Sequence, residues 1–89
     1  MLAIKTTKIF LKDLKRVSKR GKTIDQLENV VDLLQAEKPL LPNKKDHPLT
    51  GNWSGHRECH IDPDWLLIYR IDGRRLILER TGTHADLFG

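Results

Sequence analysis

Asp72-Gly73 sits between two apolar runs, residues 65–71 and 75–81, and it constrains the fold more than any other pair in the chain. An Asp-Gly step takes the positive-φ geometry of a two-residue hairpin turn at little cost. The two runs are therefore predicted to pair as antiparallel strands. Asp62-Pro63 predicts a second turn, which brings in residues 57–61 as a third strand. Residues 2–5 read as a short first strand.

Between the first strand and the last three lies a helical stretch. Thr6 or Thr7 can cap a helix that runs to about Lys19, because Phe10, Leu14 and Val17 recur at i, i+4 and i+7 and give it one apolar face. Gly21 ends it. Thr23 opens a second helix, with Gln26 placed for a capping box and Leu27, Val30, Val31 and Leu34 as the buried stripe. Pro39 forbids continuation much past Ala36. The expected architecture is β-α-α-β-β-β. This is an α+β domain spanning residues 1–89, with two helices packed on one face of a mainly antiparallel four-stranded sheet.

Residues 37–52 show no periodicity and are punctuated by Pro39, Pro42, Pro48 and Gly51. A structureless loop of that length in a chain of 89 residues is usually functional or disordered. Leu40, Leu41 and Leu49 suggest that it is pinned to the body of the domain.

Cys59 is the only cysteine, so no internal disulfide forms and the chain suits a reducing compartment. No signal peptide or apolar run of membrane-spanning length is evident, and a cytoplasmic location is expected. Lys and Arg number 16 against 12 acidic residues, a net charge of +4, which favours a polyanionic partner such as nucleic acid. Lys8, Lys12, Lys15, Arg16, Lys19, Arg20 and Lys22 crowd the first helix and its exit.

Counting outwards from an Asp72-Gly73 turn pairs Ile71 with Arg74 and Trp65 with Arg80. Counting from Asp62-Pro63 pairs His60 with Trp65. Paired residues share a face, so His60, Trp65 and Arg80 are expected side by side, with Asp64 next to them in the turn. One bulge would break this register. The row can be a mixed polar patch with Arg80 packed on Trp65. It also holds what RNA cleavage needs. Histidine moves protons near neutral pH, arginine stabilises charge on a phosphoryl group, and an exposed aromatic stacks on a base.

Zinc is the rival use of His56, Cys59, His60 and His84. On a strand, however, His56 and His60 are separated by ~13 Å, too far for one ion. No metal and no other cofactor is expected, and Cys59 alternates away from His60 as a small core residue.

Four segments are familiar in combination. They are Lys45-Asp46-His47-Pro48-Leu49-Thr50-Gly51-Asn52-Trp53, Arg57-Glu58-Cys59-His60, Pro63-Asp64-Trp65-Leu66-Leu67-Ile68-Tyr69 and Glu79-Arg80-Thr81-Gly82-Thr83-His84-Ala85-Asp86-Leu87-Phe88. Together they resemble the YafQ-type toxins of the RelE/ParE superfamily of bacterial type II toxin–antitoxin systems. The resemblance runs in order through the C-terminal half, while the helical half agrees in element type and length.

It implies a metal-independent, ribosome-dependent endoribonuclease that cuts mRNA by 2′-OH attack and so stops translation. It implies contact with ribosomal RNA, neutralisation by a cognate acidic antitoxin, and binding of operator DNA only through the antitoxin complex. No membrane partner is implied. The functional positions that match are His47, His60, Asp64, His84 and Phe88, with Trp65 and Arg80 in supporting places. His47, His60, Asp64 and His84 would then be catalytic, Arg80 would stabilise the phosphoryl transition state, and Trp65 and Phe88 would position the substrate. Glu58 stands where some relatives carry aspartate, which keeps the charge. Two other functions fit the same fold: a ParE-like toxin that binds a topoisomerase, and an RNA-binding module without catalysis.

Overall fold

The computed structural model describes residues 1–89. Its elements run β1 (Ala3–Thr6), α1 (Lys8–Lys19), α2 (Ile24–Gln35), β2 (His47–Pro48), β3 (Arg57–Asp62), β4 (Trp65–Asp72), β5 (Arg75–Gly82) and α3 (His84–Phe88). The α+β class and the order of the expected elements hold. Two parts of the expected architecture are corrected. The sheet has five strands in the order β1-β5-β4-β3-β2, because the long loop contributes β2. It is also mixed, since β1 pairs parallel to β5. A third, short helix follows β5.

Thr7, not Thr6, caps α1. Its hydroxyl accepts the Phe10 N–H at 2.9 Å and donates to the Glu79 carbonyl at 2.9 Å, so one side chain fixes both the helix start and its seat on β5. At the other end Gly21, with φ of 87°, lets the chain reverse, which a side chain would resist. Thr23 does occupy the N-cap of α2, but its side chain makes no cap hydrogen bond, and the expected capping box with Gln26 does not form.

Alternate residues of β3, β4 and β5 feed the larger of two apolar clusters, and β4 alone among the strands feeds the smaller. Phe10 and Val17 of α1 and Leu27, Val30, Val31 and Leu34 of α2 pack against Cys59, Ile61, Trp65, Leu67, Tyr69, Leu76 and Leu78. On the other face Leu66 and Ile68 meet Leu87 of α3, with Leu49 and Trp53 of the loop alongside. The helices therefore do not all lie on one face. No helix is long and apolar enough to cross a membrane.

Both hairpins are displaced from the counted register. Asp72 pairs with Arg75, so Gly73-Arg74 is the loop, and only Gly73 has positive φ there (60°), as a II′ turn requires. Asp62 pairs with Trp65, so Pro63-Asp64 is the other loop. Each hairpin also carries a register shift, between His60 and Asp62 in β3 and at Ile68/Tyr69 opposite β5, where Leu78 and Arg80 take the consecutive partners Tyr69 and Ile68 and leave Glu79 as the extra residue.

Candidate active site

Those shifts decide which side chains meet. His60 pairs with Leu66 and Leu66 with Gly82, while Glu58 pairs with Ile68 and Ile68 with Arg80. His47 pairs with Glu58. Two adjacent rows result, His47-Glu58-Ile68-Arg80 and His60-Leu66-Gly82. His60 and Arg80 thus belong to the same face, as expected, but diagonally and not in one row.

Trp65 does not join them. The extra residue in β3 turns it to the helix-covered face, where it is fully buried and its indole N–H donates to Thr81 Oγ1 at 2.8 Å. The expectation of a His60-Trp65-Arg80 row, with Trp65 open to a base and Arg80 packed on its ring, is corrected. Trp65 is a core residue beneath the site.

The loop delivers His47 and is held by polar anchors. Lys44 Nζ donates to the Ile61 carbonyl at 2.8 Å. Asp46 accepts the Tyr69 hydroxyl at 2.6 Å and Arg57 Nε at 3.2 Å. Burial, reinforced by the Asp46 carboxylate, raises the Tyr69 hydroxyl above the usual phenol range, so it remains a donor. Leu40 and Leu49 are partly buried against the two clusters, whereas Leu41 is exposed and pins nothing. His47 Nδ1 donates to the Lys45 carbonyl at 2.6 Å. That leaves Nε2 to gain or release a proton, and it lies 3.1 Å from Glu58 Oε2.

The C-terminal helix delivers His84 and Phe88. Thr83 and Asp86 form a reciprocal capping box at its start, with bonds of 2.9 and 3.1 Å. Arg20 of α1 grips Asp86 at 2.6 and 3.2 Å, and this guanidinium, with the cap N–H, holds the Asp86 carboxyl well below the usual carboxylate range. Gly82 permits the approach, since a Cβ there would meet Asp86 Oδ2 at 2.9 Å. His84 is exposed at the first helical position, its ring 5.0 Å from that of Phe88. Asp64 is exposed in its turn, with its N–H bonded to Asp62 Oδ1 at 2.9 Å.

Arg80 is tethered. Its Nε and Nη2 donate to the two oxygens of Asp13 at 2.7 and 3.1 Å, which raises the guanidinium's already high pKa and leaves Nη1 with no hydrogen-bond partner within the protein. Asp13 escaped the sequence reading. Its signal was an acid lying between Phe10 and Val17 on the buried stripe of an amphipathic helix, three and four residues from each.

The basic helix divides in two. Arg16 and Arg20 are committed to Asp13 and Asp86, while Lys12, Lys15 and Lys19 are exposed and line a groove with them. The metal-ligand rivals are dispersed. His56 pairs with Glu79 at 2.8 Å. Cys59 is buried on the helix side, and burial pushes its thiol up to about 12. No three His, Cys, Asp or Glu side chains gather as a metal cage. The open face carries His47 and Arg80 in one row and His60 in the next, residue types suited to moving protons and stabilising charge at a phosphodiester.

Known proteins are similar to this chain in sequence and in fold. A family model described as the bacterial toxin of type II toxin–antitoxin systems, YafQ, matches residues 2–89. The mRNA interferase toxin YafQ of Escherichia coli strain K12 is 47% identical over 81 residues, which cover 90% of this chain and 88% of that protein. The toxin chain in the crystal structure of the E. coli DinJ-YafQ complex superposes with a TM-score of 0.91 at 43% identity over 100% of both chains. A metal-bound toxin from Helicobacter pylori superposes with a TM-score of 0.93 at 48% identity, covering 99% of this chain and 100% of that one.

Proposed function

The chain belongs to the YafQ family of bacterial toxins of type II toxin–antitoxin systems, and from that premise we propose that it is an endoribonuclease that cuts mRNA on the ribosome without a metal ion. The observation that carries this reading is the shared open face. His47, Glu58 and Arg80 occupy one row, His60 stands in the next, and α3, which carries His84 and Phe88, packs on that face through Leu87.

In the proposed reaction one histidine takes the proton from the ribose 2′-hydroxyl. The 2′-oxygen attacks the adjacent phosphorus and the bond to the 5′-oxygen breaks. A second histidine protonates that leaving oxygen. His60 and His84 carry these transfers, with His47 sharing the work. Asp64 orients a histidine at the edge of the site. Arg80 stabilises the charge on the phosphoryl oxygens, and Phe88, beside His84, positions the substrate. Trp65 supports the site from below.

The same reading makes the protein cytoplasmic, with Lys12, Lys15 and Lys19 touching ribosomal RNA. An acidic antitoxin neutralises it, as DinJ pairs with the E. coli toxin, and operator DNA is bound only through that complex.

The test is to add the protein to a translating extract and map mRNA ends, with and without chelator and with ribosome integrity controlled. Fragments that persist in chelator and vanish with His60→Ala support the reading. Cutting that stops in chelator and returns with added metal sinks it. The metal-bound Helicobacter pylori relative makes that arm informative.

A further inference from the structure

The Asp13 carboxylate is a buried charge in the middle of a helix. The residue is 2% exposed. Burying a charge is costly unless it is paired and hydrogen-bonded, and Asp13 is so in full. It accepts Arg80 Nε at 2.7 Å, Arg80 Nη2 at 3.1 Å, Arg16 Nη2 at 2.9 Å and the Thr81 backbone N–H at 3.2 Å.

The last contact explains the location. β1 pairs with β5 only as far as Thr6 and Leu78. Beyond that point β5 has an open edge, whose N–H groups need acceptors. Thr7 takes up the Glu79 carbonyl, and Asp13 takes the Thr81 N–H where a continuing strand would have done so. The register shift that leaves Glu79 unpaired sits at the same place, and bulges characteristically re-aim a side chain. Arg80, whose strand partner Ile68 lies on the open face, is thereby brought to the edge and into the fork of Asp13.

We infer that Asp13 is a positioning residue for the proposed reaction, holding the Arg80 guanidinium in the one orientation that turns its free Nη1 toward the scissile phosphate. The inference rests on the reading of Arg80 as the group that stabilises phosphoryl charge. Two parallel hydrogen bonds between a planar guanidinium and a carboxylate fix direction as well as distance. The tether does not leave the site without positive charge. Arg16 also contacts Asp13, and Arg16 and Arg20 both reach Asp86, so three guanidinium groups face two carboxylates, and 3 − 2 leaves one formal positive charge on the network. Through Arg16 the same network joins the Arg80 tether to the cap of α3, which carries His84.

A positioning role and a purely electrostatic one predict opposite signs. If Asp13 only damped the charge of Arg80, Asp13→Asn would speed cutting. If it aims the guanidinium, Asp13→Asn lowers the single-turnover rate at saturating protein by roughly 10- to 100-fold, the order of cost for a misplaced catalytic group, and leaves ribosome affinity nearly unchanged.

The experiment is a double-mutant cycle of Asp13→Asn and Arg80→Ala on cleavage of a defined message on the ribosome. Arg80→Ala alone is expected to cost roughly 10²–10³, and Asp13→Asn is expected to add nothing further in the Arg80→Ala background. A loss that multiplies fully in the double variant overturns the inference, because Asp13 would then act through the fold and not through Arg80. A faster Asp13→Asn enzyme also overturns it. Full activity in Arg80→Ala removes the reading of Arg80 itself, and the inference with it.

Side-chain NMR of the unmodified protein gives a readout that does not depend on whether Asp13→Asn folds. The Arg80 Nε–H should exchange slowly, unlike those of the exposed Arg74 and Arg75. Exchange as fast as theirs would show that the tether does not persist in solution.

Discussion

The two faces of the sheet are built from alternate residues of the same three strands, yet they do different work. Under α1 and α2 the face is apolar, with Trp65, Leu67 and Tyr69 of β4 fully buried among helix side chains. Under α3 and the loop it has a small apolar centre of Leu66, Ile68 and Leu87 ringed by His47, Glu58, His60 and Arg80. His60 and Trp65 make the contrast sharpest. Five residues apart, they would pair across a turn over Asp62-Pro63, but the shifted turn and one extra residue put them on opposite faces. A single inserted residue thus separates what holds the fold from what is offered to substrate.

Truncating Trp65 should have the largest effect on the helix-covered face. Trp65→Ala removes the largest buried side chain and one of the two hydrogen bonds of Thr81 Oγ1, which still donates to the Leu66 carbonyl at 2.7 Å, and is expected to cost about 3–5 kcal/mol, read from denaturant unfolding. A loss near that of a surface substitution would mean that the indole is not in the core.

The open face should respond the other way. His60→Ala and His84→Ala are each expected to lower the cleavage rate by roughly 10²–10⁴, while the exposed His84 changes stability by no more than about 0.5 kcal/mol. Parallel loss of stability and activity at His84 would erase the distinction between the faces.

The sequence carried the order of elements, which depends on apolar periodicity and on the presence of two turns, whereas the face shared by His60 and Arg80 was reached by pairing each with Trp65, which lies on the other face, so that the register errors cancel. It could not carry the bulges at Ile61 and Glu79, because one extra residue leaves no mark on an apolar run such as Trp65-Leu66-Leu67-Ile68. It did not show β2, which is two residues long and held by the partners of Asp46 more than by its own propensity. It did not show the Asp13–Arg80 and Asp86–Arg20 contacts either, since each joins residues more than sixty positions apart.

A smaller, pH-dependent effect concerns the helix that carries His84. The Asp86 carboxyl titrates below its unfolded value because of Arg20 and the cap of α3. Its contribution to stability is therefore fully present above the ordinary carboxylate pKa of about 3.8 and is lost as pH falls through the lower, folded value. Asp86→Asn should flatten the acid limb of a stability-against-pH curve and leave the neutral and alkaline part parallel to the wild type. An unchanged acid limb would mean that Arg20 does not hold Asp86 in solution.

The smallest effect on the chemical step is expected from the free lysines. Lys12→Glu, Lys15→Glu and Lys19→Glu together should weaken ribosome binding and flatten its dependence on salt, leaving the rate of the bound complex unaltered. Binding that was insensitive to salt from the outset would make this surface a solvated face only.

In the proposed reaction the imidazoles and guanidinium of the open face use the substrate's own 2′-oxygen as nucleophile. The most direct measurement replaces the single ribose at the cut position with deoxyribose and identifies the ends formed on the unmodified message. The expected result is no cutting of the deoxy substrate with binding nearly unchanged, and a 2′,3′-cyclic phosphate or its 3′-phosphate opposite a 5′-hydroxyl on the normal one. A 5′-phosphate, or cutting that survives the deoxy substitution, would mean that water is the attacking group and would contradict it.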